Sequence, residues 1–333
     1  MIQLNDKDYK VFERLVSLNQ KSLKHLMSQY LQGKYDKVIL TKDYIVAIGD
    51  IPIALVAHMD TVFSSPVKDL YYDKSKGVLW SPDGLGADDR AGVFAIIKIL
   101  QDGYRPSVIL TTDEEKGGVG ASVLAKLDCP IPGLKYMIEL DRRGTNDCVF
   151  YSCYVPEFIE YVEDFGFCEQ FGSFSDISFL MPAWNVCGVN LSVGYEDEHS
   201  AIEILRVKPL YDTIRKVKNM LSQENIPDFK YSEISSNYYG YYQGWDFGNE
   251  VYGQHCSYCK GLFTEYDLFP VRGADNRYKY CCPQCLNENV HWCDMCGNAY
   301  DKATEKNNAE SKYESIKEFR VCPVCAEELC TKA

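Results

Sequence analysis

Five short polar clusters punctuate the first two thirds of the 333-residue chain, and each holds residue types that bind cations or move protons. They are His58 with Asp60, Asp88 with Asp89, Glu114 with Glu115, Asp141, and His199. Two histidines and several carboxylates are the ligand inventory of a two-metal hydrolytic site. The densest stretch, from Ser81 to Gly92, runs Ser-Pro-Asp-Gly-Leu-Gly-Ala-Asp-Asp-Arg-Ala-Gly and delivers two adjacent acids to the start of an apolar helix. Taken alone, that pair reads as a helix N-cap followed by a first-turn acid. The other four clusters tip the reading toward metal ligation. Asp60, two residues after His58, is placed to accept a hydrogen bond from the second ring nitrogen, the usual way of fixing a metal-bound histidine tautomer. Asp113-Glu114-Glu115 would ordinarily form a solvated turn; between an apolar strand and the glycines Gly117, Gly118 and Gly120 it reads as an active-site rim.

A different chemistry occupies the C-terminal part, where ten of the fifteen cysteines lie from Cys256 onward. Four pairs have two-residue gaps: Cys256 with Cys259, Cys282 with Cys285, Cys293 with Cys296, and Cys322 with Cys325. Each pair suits a knuckle that offers two thiolates to one zinc, and two pairs complete a tetrahedral site, so two structural zincs are expected. The Cys-Pro-x-Cys form shared by Cys282 and Cys322 favours Cys282 over Cys281 as the ligand. The seven residues between Cys285 and Cys293 favour pairing in sequence order. His255 and His291 are then bystanders. The N-terminus is polar, without an apolar secretory segment, which speaks against a disulfide framework.

These groups need elements to carry them. Residues 8 to 31 have apolar positions at helical spacing and read as one helix. Strand-like runs follow at 37–41 and 44–48, and Ile51–Ala57 is apolar almost throughout, as for a strand buried on both faces. Further along come a helix at 91–100, a strand at 107–110, a helix at 121–127 and a strand at 134–140. A strand at 148–154, a helix at 156–165, another beginning within Ser173-Phe174-Ser175-Asp176 with a plausible cap, a strand at 185–193 and a closing helix at 207–221 complete the pattern. Strands alternating with helices predict an α/β fold: a mainly parallel sheet with helices on both faces, plus a small Cys-rich zinc-binding module. In such sheets functional groups gather at the carboxyl ends of the strands, and His58, Glu114, Asp141 and His199 all follow strand-like runs.

Three regions are expected: a hydrolase domain over 1–223 without an inserted lid, a connector over 224–254, and the Cys-rich domain over 255–333. The connector holds Tyr231, Tyr238, Tyr239, Tyr241, Tyr242, Trp245, Phe247 and Tyr252 among Gly, Ser and Asn, and should pack on its neighbours. A net charge of -13 disfavours nucleic acid as a partner. From Cys256 onward there are ten Lys and Arg against twelve Asp and Glu. Thiolate zinc sites make that region more negative still, so its expected role is stabilisation, protein binding or cover for the active site. No run approaches the roughly 18 apolar residues that span a membrane, and the expected location is cytoplasmic.

In order and spacing, Ala57-His58-Met59-Asp60-Thr61-Val62, Gly86-Ala87-Asp88-Asp89-Arg90-Ala91-Gly92, Asp113-Glu114-Glu115, Glu139-Leu140-Asp141 and Glu198-His199-Ser200 resemble the co-catalytic di-zinc exopeptidases. That superfamily includes peptidase T, tripeptidases and zinc aminopeptidases. The resemblance covers about residues 1 to 223; the tail resembles zinc-ribbon or treble-clef modules. It implies that Asp88 bridges two metals, with His58 and Asp141 holding one and Glu115 and His199 the other. Asp60 would orient His58, and Glu114 would be the general base. The peptide between the two acids is commonly cis in such enzymes, and Asp88-Asp89 is expected to be so. Only 29 residues lie between His58 and Asp88, and 57 between Asp141 and His199, which resembles the single-domain aminopeptidases, whereas the His58 motif resembles the lidded branch.

Two carboxylates about 4 Å apart repel by roughly 4 kcal/mol at an effective dielectric near 20, so Asp88, Glu115 and Asp141 would converge only around cations. The expected function is hydrolysis of a peptide bond in short peptides, exopeptidase type, by a zinc-bridged hydroxide with Glu114 as base. Cobalt or manganese would serve in place of zinc. The alternatives are deacylation of an N-acyl amino acid, and a non-catalytic scaffold whose zinc knuckles bind a protein.

Overall fold

The computed structural model describes residues 3–172, 174–232, 254–260, 262–263, 268–272, 278–293 and 299–302. Two helices, not one, open the chain: α1, Asp6–Val16, and α2, Gln20–Gln32. The break has a local cause. Asn5 and Asn19 each occupy an N-cap, their side chains accepting from the amides of Asp8 and Ser22 at 2.9 Å, so Asn19 starts a fresh helix inside what reads as continuous periodicity.

The remaining elements of the first unit follow in order. Strands β1 (Lys37–Leu40), β2 (Tyr44–Ile48), β3 (Ile51–His58), β4 (Tyr71–Asp73) and β5 (Val78–Trp80) precede α3 (Ala87–Gln101) and β6 (Pro106–Thr111). Then come α4 (Val119–Leu124), β7 (Tyr136–Arg142), β8 (Asp147–Val149), α5 (Pro156–Glu163), β9 (Cys168–Glu169), α6 (Asp176–Trp184) and β10 (Cys187–Ser192). Strands β11 (Tyr195–Glu196) and β12 (Ile204–Arg206) lead into α7 (Val207–Leu221).

Eight strands form one sheet in the order β1-β2-β6-β3-β7-β10-β8-β9. Its centre, β6-β3-β7-β10, is parallel throughout, while β2 and β8 flank it antiparallel. The parallel strands explain the apolar runs: Ile53 to Ala57, Val108 to Leu110 and Tyr136 to Ile138 are buried on both faces. Helix α3, buried along nearly its whole length, lies against β3 and β7 under α1 and α7, and α6 packs against β3, β7 and β10. The expected strand at 148–154 is only the short β8, because the chain turns at Tyr151 with φ 52°. Four strands too short to leave a periodic signal, β11-β12-β5-β4, make a second, antiparallel sheet. Among the described residues no helix is long and apolar enough to cross a membrane.

Residues 1–243 and 244–333 form two compact units. The start of the aromatic segment belongs to the first: the Phe229 ring lies 4.9 Å from Phe158 and 5.4 Å from Tyr161, and Tyr231 is buried. Tyr238, Tyr239, Tyr241, Tyr242, Trp245, Phe247 and Tyr252 fall outside the described residues. The second unit contains hairpin strands Gln254–His255 and Leu262–Phe263, a four-stranded sheet, and a helix over Pro283–Asn289.

Asp8 ties three helices of the first unit together. Its carboxylate accepts from Lys98 of α3 at 2.8 Å and from Tyr211 of α7 at 2.5 Å, besides Asn5 at 2.9 Å. Burial opposes its charge, but these donors outweigh it and hold the carboxyl below the usual aspartate value. A depressed pKa contributes stability that is present above the unfolded-state value and lost as pH falls through the folded one. Asp8→Asn should therefore cost about 2 kcal/mol in denaturant unfolding near neutral pH. The difference from the wild type should shrink below about pH 4.

Candidate metal centre

Strand register brings the site residues to one level. His58 ends β3 beside Thr111 at the end of β6, and Val56 pairs with Glu139 of β7. His58 and Asp141, each two residues further on, therefore stand side by side at the carboxyl ends of the two strands. Asn190 of β10, level with Glu139, fixes the next step: its side chain accepts from the Asp141 amide at 3.0 Å and donates to the Asp141 carbonyl at 2.8 Å.

The Asp88-Asp89 peptide is cis, and neither residue has helical dihedral angles although both lie within α3. Gly86 turns the chain into this segment at φ 62°, a conformation that favours glycine. The two acids then do different work. Asp89 accepts from the His58 amide at 3.2 Å and the Gly92 amide at 2.8 Å, binding the helix start to the end of β3. A Cβ on Gly92 would sit 2.2 Å from the Leu140 carbonyl oxygen and 2.6 Å from the Asp89 carboxylate, so only glycine lets α3 approach β7 this closely. Asp88 turns inward: its Oδ1 lies 2.9 Å from His58 Nε2 and its Oδ2 3.2 Å from His199 Nε2.

Around that bridge stand the other candidates. Asp141 Oδ1 is 3.5 Å from His58 Nε2, and the Glu115 oxygens are 3.0 and 3.1 Å from His199 Nε2. Asp60 lies 3.3 Å from His58 Nδ1, and its two oxygens accept from the amides of Glu114 and Glu115 at 3.0 and 3.1 Å. One carboxylate thus orients both the histidine and the turn carrying the two glutamates. Ligand atoms of His58, Asp88 and Asp141, of His58, Glu114 and Glu115, and of Asp88, Glu115 and His199 each lie within 4.8 Å of one another. His58 is buried, whereas the His199 side chain is 51% exposed, so solvent reaches the centre from the His199 side. A cavity of about 380 Å³, with Asp60 and Glu115 in its wall, opens between the loop at Thr61–Val67, the Gly84–Gly86 turn and Lys116.

Whether these residues suit cations is decided by charge. Asp60, Asp88, Asp89, Glu114, Glu139, Asp141 and Asp176 are all mostly or wholly shielded from water near two histidines. The buried Arg90 spends its guanidinium on the main-chain carbonyls of Met59, Asp60 and Leu18. Among the described residues, neither carboxylate oxygen of Glu139 and not Asp176 Oδ1 has a hydrogen-bond partner. Burial, then the charge of Asp88, pushes Asp141 up to about 7. Hydrogen bonds to Asp88 and Glu115 raise His199 to about 11. Asp88 itself, despite burial, is held below the ordinary aspartate range by His199 and His58. Such an excess of buried negative charge, with mixed nitrogen and oxygen donors facing inward, fits divalent cations.

Several supporting residues escape a sequence reading. Glu203, buried just before β12, accepts from the amides of Gly86 at 2.6 Å and Asp88 at 3.0 Å, and burial lifts its carboxyl to about 7. Ser175 and Tyr195 donate to the two oxygens of Asp141, both at 3.1 Å, and Thr111 donates to Asp176. The one signal for Glu203 is an acid set within the apolar run Ile202-Glu203-Ile204-Leu205. In the second unit the sulfurs of Cys256, Cys259, Cys282 and Cys285 lie within 4.8 Å of one another. Cys293 is buried; Cys296, Cys322 and Cys325 fall outside the described residues. The His291 ring meets Tyr300 edge-on.

The sequence matches no protein-family model and no curated protein. Solved structures do match. A tripeptidase from Staphylococcus aureus superposes with a TM-score of 0.53 at 14% identity, over 67% of this chain and 100% of that one. A TET aminopeptidase from a marine sediment archaeon of the Thaumarchaeota gives 0.53 at 13% identity, over 67% of this chain and 98% of that one. Over the 67% of the chain that matches, the fold is that of these two proteins. With identities this low, likeness of fold is what the comparison establishes.

Glu203→Ala should leave the amides of Gly86 and Asp88 buried without an acceptor and cost about 3 kcal/mol in chemical denaturation. By loosening the segment that carries Asp88, it should also weaken divalent-cation binding about 10- to 100-fold in calorimetric titration.

Proposed function

We propose that the protein is a metal-dependent exopeptidase that cleaves short peptides, with a divalent pair held by His58 and Asp141 on one side, Glu115 and His199 on the other, and Asp88 between. The observation that carries this reading is the position of Asp88, whose two oxygens face two different histidines. A carboxylate serving only as a helix cap would turn toward amides, as Asp89 does. Zinc suits the mixed imidazole and carboxylate donors, and cobalt or manganese would also be accepted. When bound, such a pair supplies Lewis-acid polarisation of the scissile carbonyl and activation of water near neutral pH.

The rest of the work falls to side chains of this protein. Glu114 is buried beside the ligands, and burial, against the favourable charge of His58, pushes its carboxyl to about 9. So high a value would leave Glu114 protonated near neutral pH; the positive charge of bound cations would lower it again, and the ionised carboxylate would then take a proton from the attacking water and return it to the departing amine nitrogen. Asp60 keeps Glu114 and Glu115 in place through their amides and holds the His58 ring at the same time. The cavity beside Glu115 would receive the end of a short peptide, its volume of about 380 Å³ being within the range of small-ligand pockets.

The test uses purified protein supplied with zinc, cobalt or manganese and a panel of free, N-acetylated and C-amidated di- and tripeptides. Cleavage of unblocked peptides is expected, and the blocked ones report which terminus is read. Glu114→Gln should retain the divalent cations and lose at least about 100-fold in kcat. Full activity in that variant, or cleavage only of the N-acetylated amino acid controls, would overturn the proposal.

A further inference from the structure

The second unit has a metal-ligand arrangement that the hydrolytic chemistry does not use. Cys256 and Cys259 bracket the turn between the strands Gln254–His255 and Leu262–Phe263. Cys282 is the N-cap of the helix Pro283–Asn289, and Cys285 lies in its first turn. The hairpin and the helix start are far apart in sequence, and their sulfurs nevertheless face one another: Cys259 Sγ is 3.8 Å from Cys282 Sγ, and all four lie within 4.8 Å. The Cys282 amide points at Cys256 Sγ at 3.4 Å, a donor that favours the thiolate over the thiol. Amides of Cys285 and Leu286 both return to the Cys282 carbonyl at 3.1 Å, and that of Lys260 to the Cys256 carbonyl at 2.9 Å. Both knuckles are therefore closed turns.

Packing gives the arrangement its purpose. Among the described residues of this unit, one small apolar cluster is Val271, Cys281, Val290 and Ala299. The other is Cys256, Leu268 and Cys282, in which two of three buried members are the sulfur residues themselves. Beside them, among the described residues, Tyr258, Tyr280 and Leu286 are only partly buried, so the sulfurs make up much of the buried surface around the knuckles. Four thiolates packed together would repel, and a cation shared by all four removes that cost.

We propose that Cys256, Cys259, Cys282 and Cys285 hold one tetrahedral zinc ion as a folding ligand of the second unit, separate in ligand chemistry and in metal exchange from the hydrolytic centre. Cys281, adjacent to a ligand, is not one; its side chain belongs to the apolar cluster. The two kinds of centre differ in softness, all-sulfur here against nitrogen and oxygen in the first unit, so thiol-selective reagents discriminate between them.

The full-length protein is reconstituted with cobalt(II), whose thiolate complexes show an intense ligand-to-metal charge-transfer band in the near ultraviolet that nitrogen and oxygen sites lack. The double variant Cys259→Ser, Cys285→Ser is compared with the wild type and with His58→Ala. Expected is a loss of one metal equivalent and of the matching share of the band in the cysteine variant, with the band intact in His58→Ala. Because the double variant can fail to fold, a second measurement uses wild-type zinc protein titrated with an organomercurial. Zinc released in step with thiol modification, while the mercurial leaves peptidase-site metal in place, supports the proposal. An unchanged band and metal content in the double variant, or no thiol-linked zinc release from the wild type, would overturn it.

Discussion

The mutual repulsion of carboxylates drawn together under a low-dielectric surface constrains this molecule more than any other interaction. Asp60, Asp88, Glu114 and Asp141 converge around His58, where water is largely excluded. At such separations each uncompensated pair is worth kilocalories. The signs of that stress are local: carboxyls of Asp141 and Glu114 pushed up toward neutrality and beyond, and buried oxygens of Glu139 without donors. Some cost is met inside the protein, through amides aimed at Asp60, Asp89 and Glu203. What those amides leave over is what a pair of cations would offset.

The sheet is the device that makes convergence possible. Four parallel strands bring their carboxyl ends to one edge, and side chains from β3, β7, the loop after β6 and the loop between β11 and β12 reach a common point from different directions. Asp89, Arg90 and Gly92 then dock α3 so that Asp88 projects into that point. A residue such as Asp60, which serves His58 with one edge and two amides with its remaining lone pairs, couples two loops that would otherwise move independently. The placement of the candidate ligands depends on backbone held by buried acids.

How far the sequence foretold this differs from element to element, for physical reasons. The parallel strands were legible because burial on both faces writes an unbroken apolar run, and His58, Glu114 and Asp141 stood out as candidates because they are polar residues at the end of such runs. The break between α1 and α2 was hidden, since the helical spacing of apolar residues continues across Asn19 and the cap is a single hydrogen bond. Strands β4, β5, β11 and β12 are two or three residues long, too short for a period to register. Glu203 and Asn190 could not be singled out, and Ser175 registered only as part of a helix start, because their partners are main-chain groups or the Asp141 carboxylate, brought near only by the fold. The cysteine knuckles stood out through spacing alone.

The central claim is that His58, Asp88, Glu115, Asp141 and His199 enclose a pair of divalent cations. Anomalous diffraction from crystals of the zinc-loaded protein, recorded on both sides of the zinc absorption edge, tests it most directly. Two peaks are expected on either side of the Asp88 carboxylate, one beside His58 and Asp141 and one beside Glu115 and His199. Zinc-edge peaks confined to the cysteine knuckles, with none among these five side chains, would contradict it.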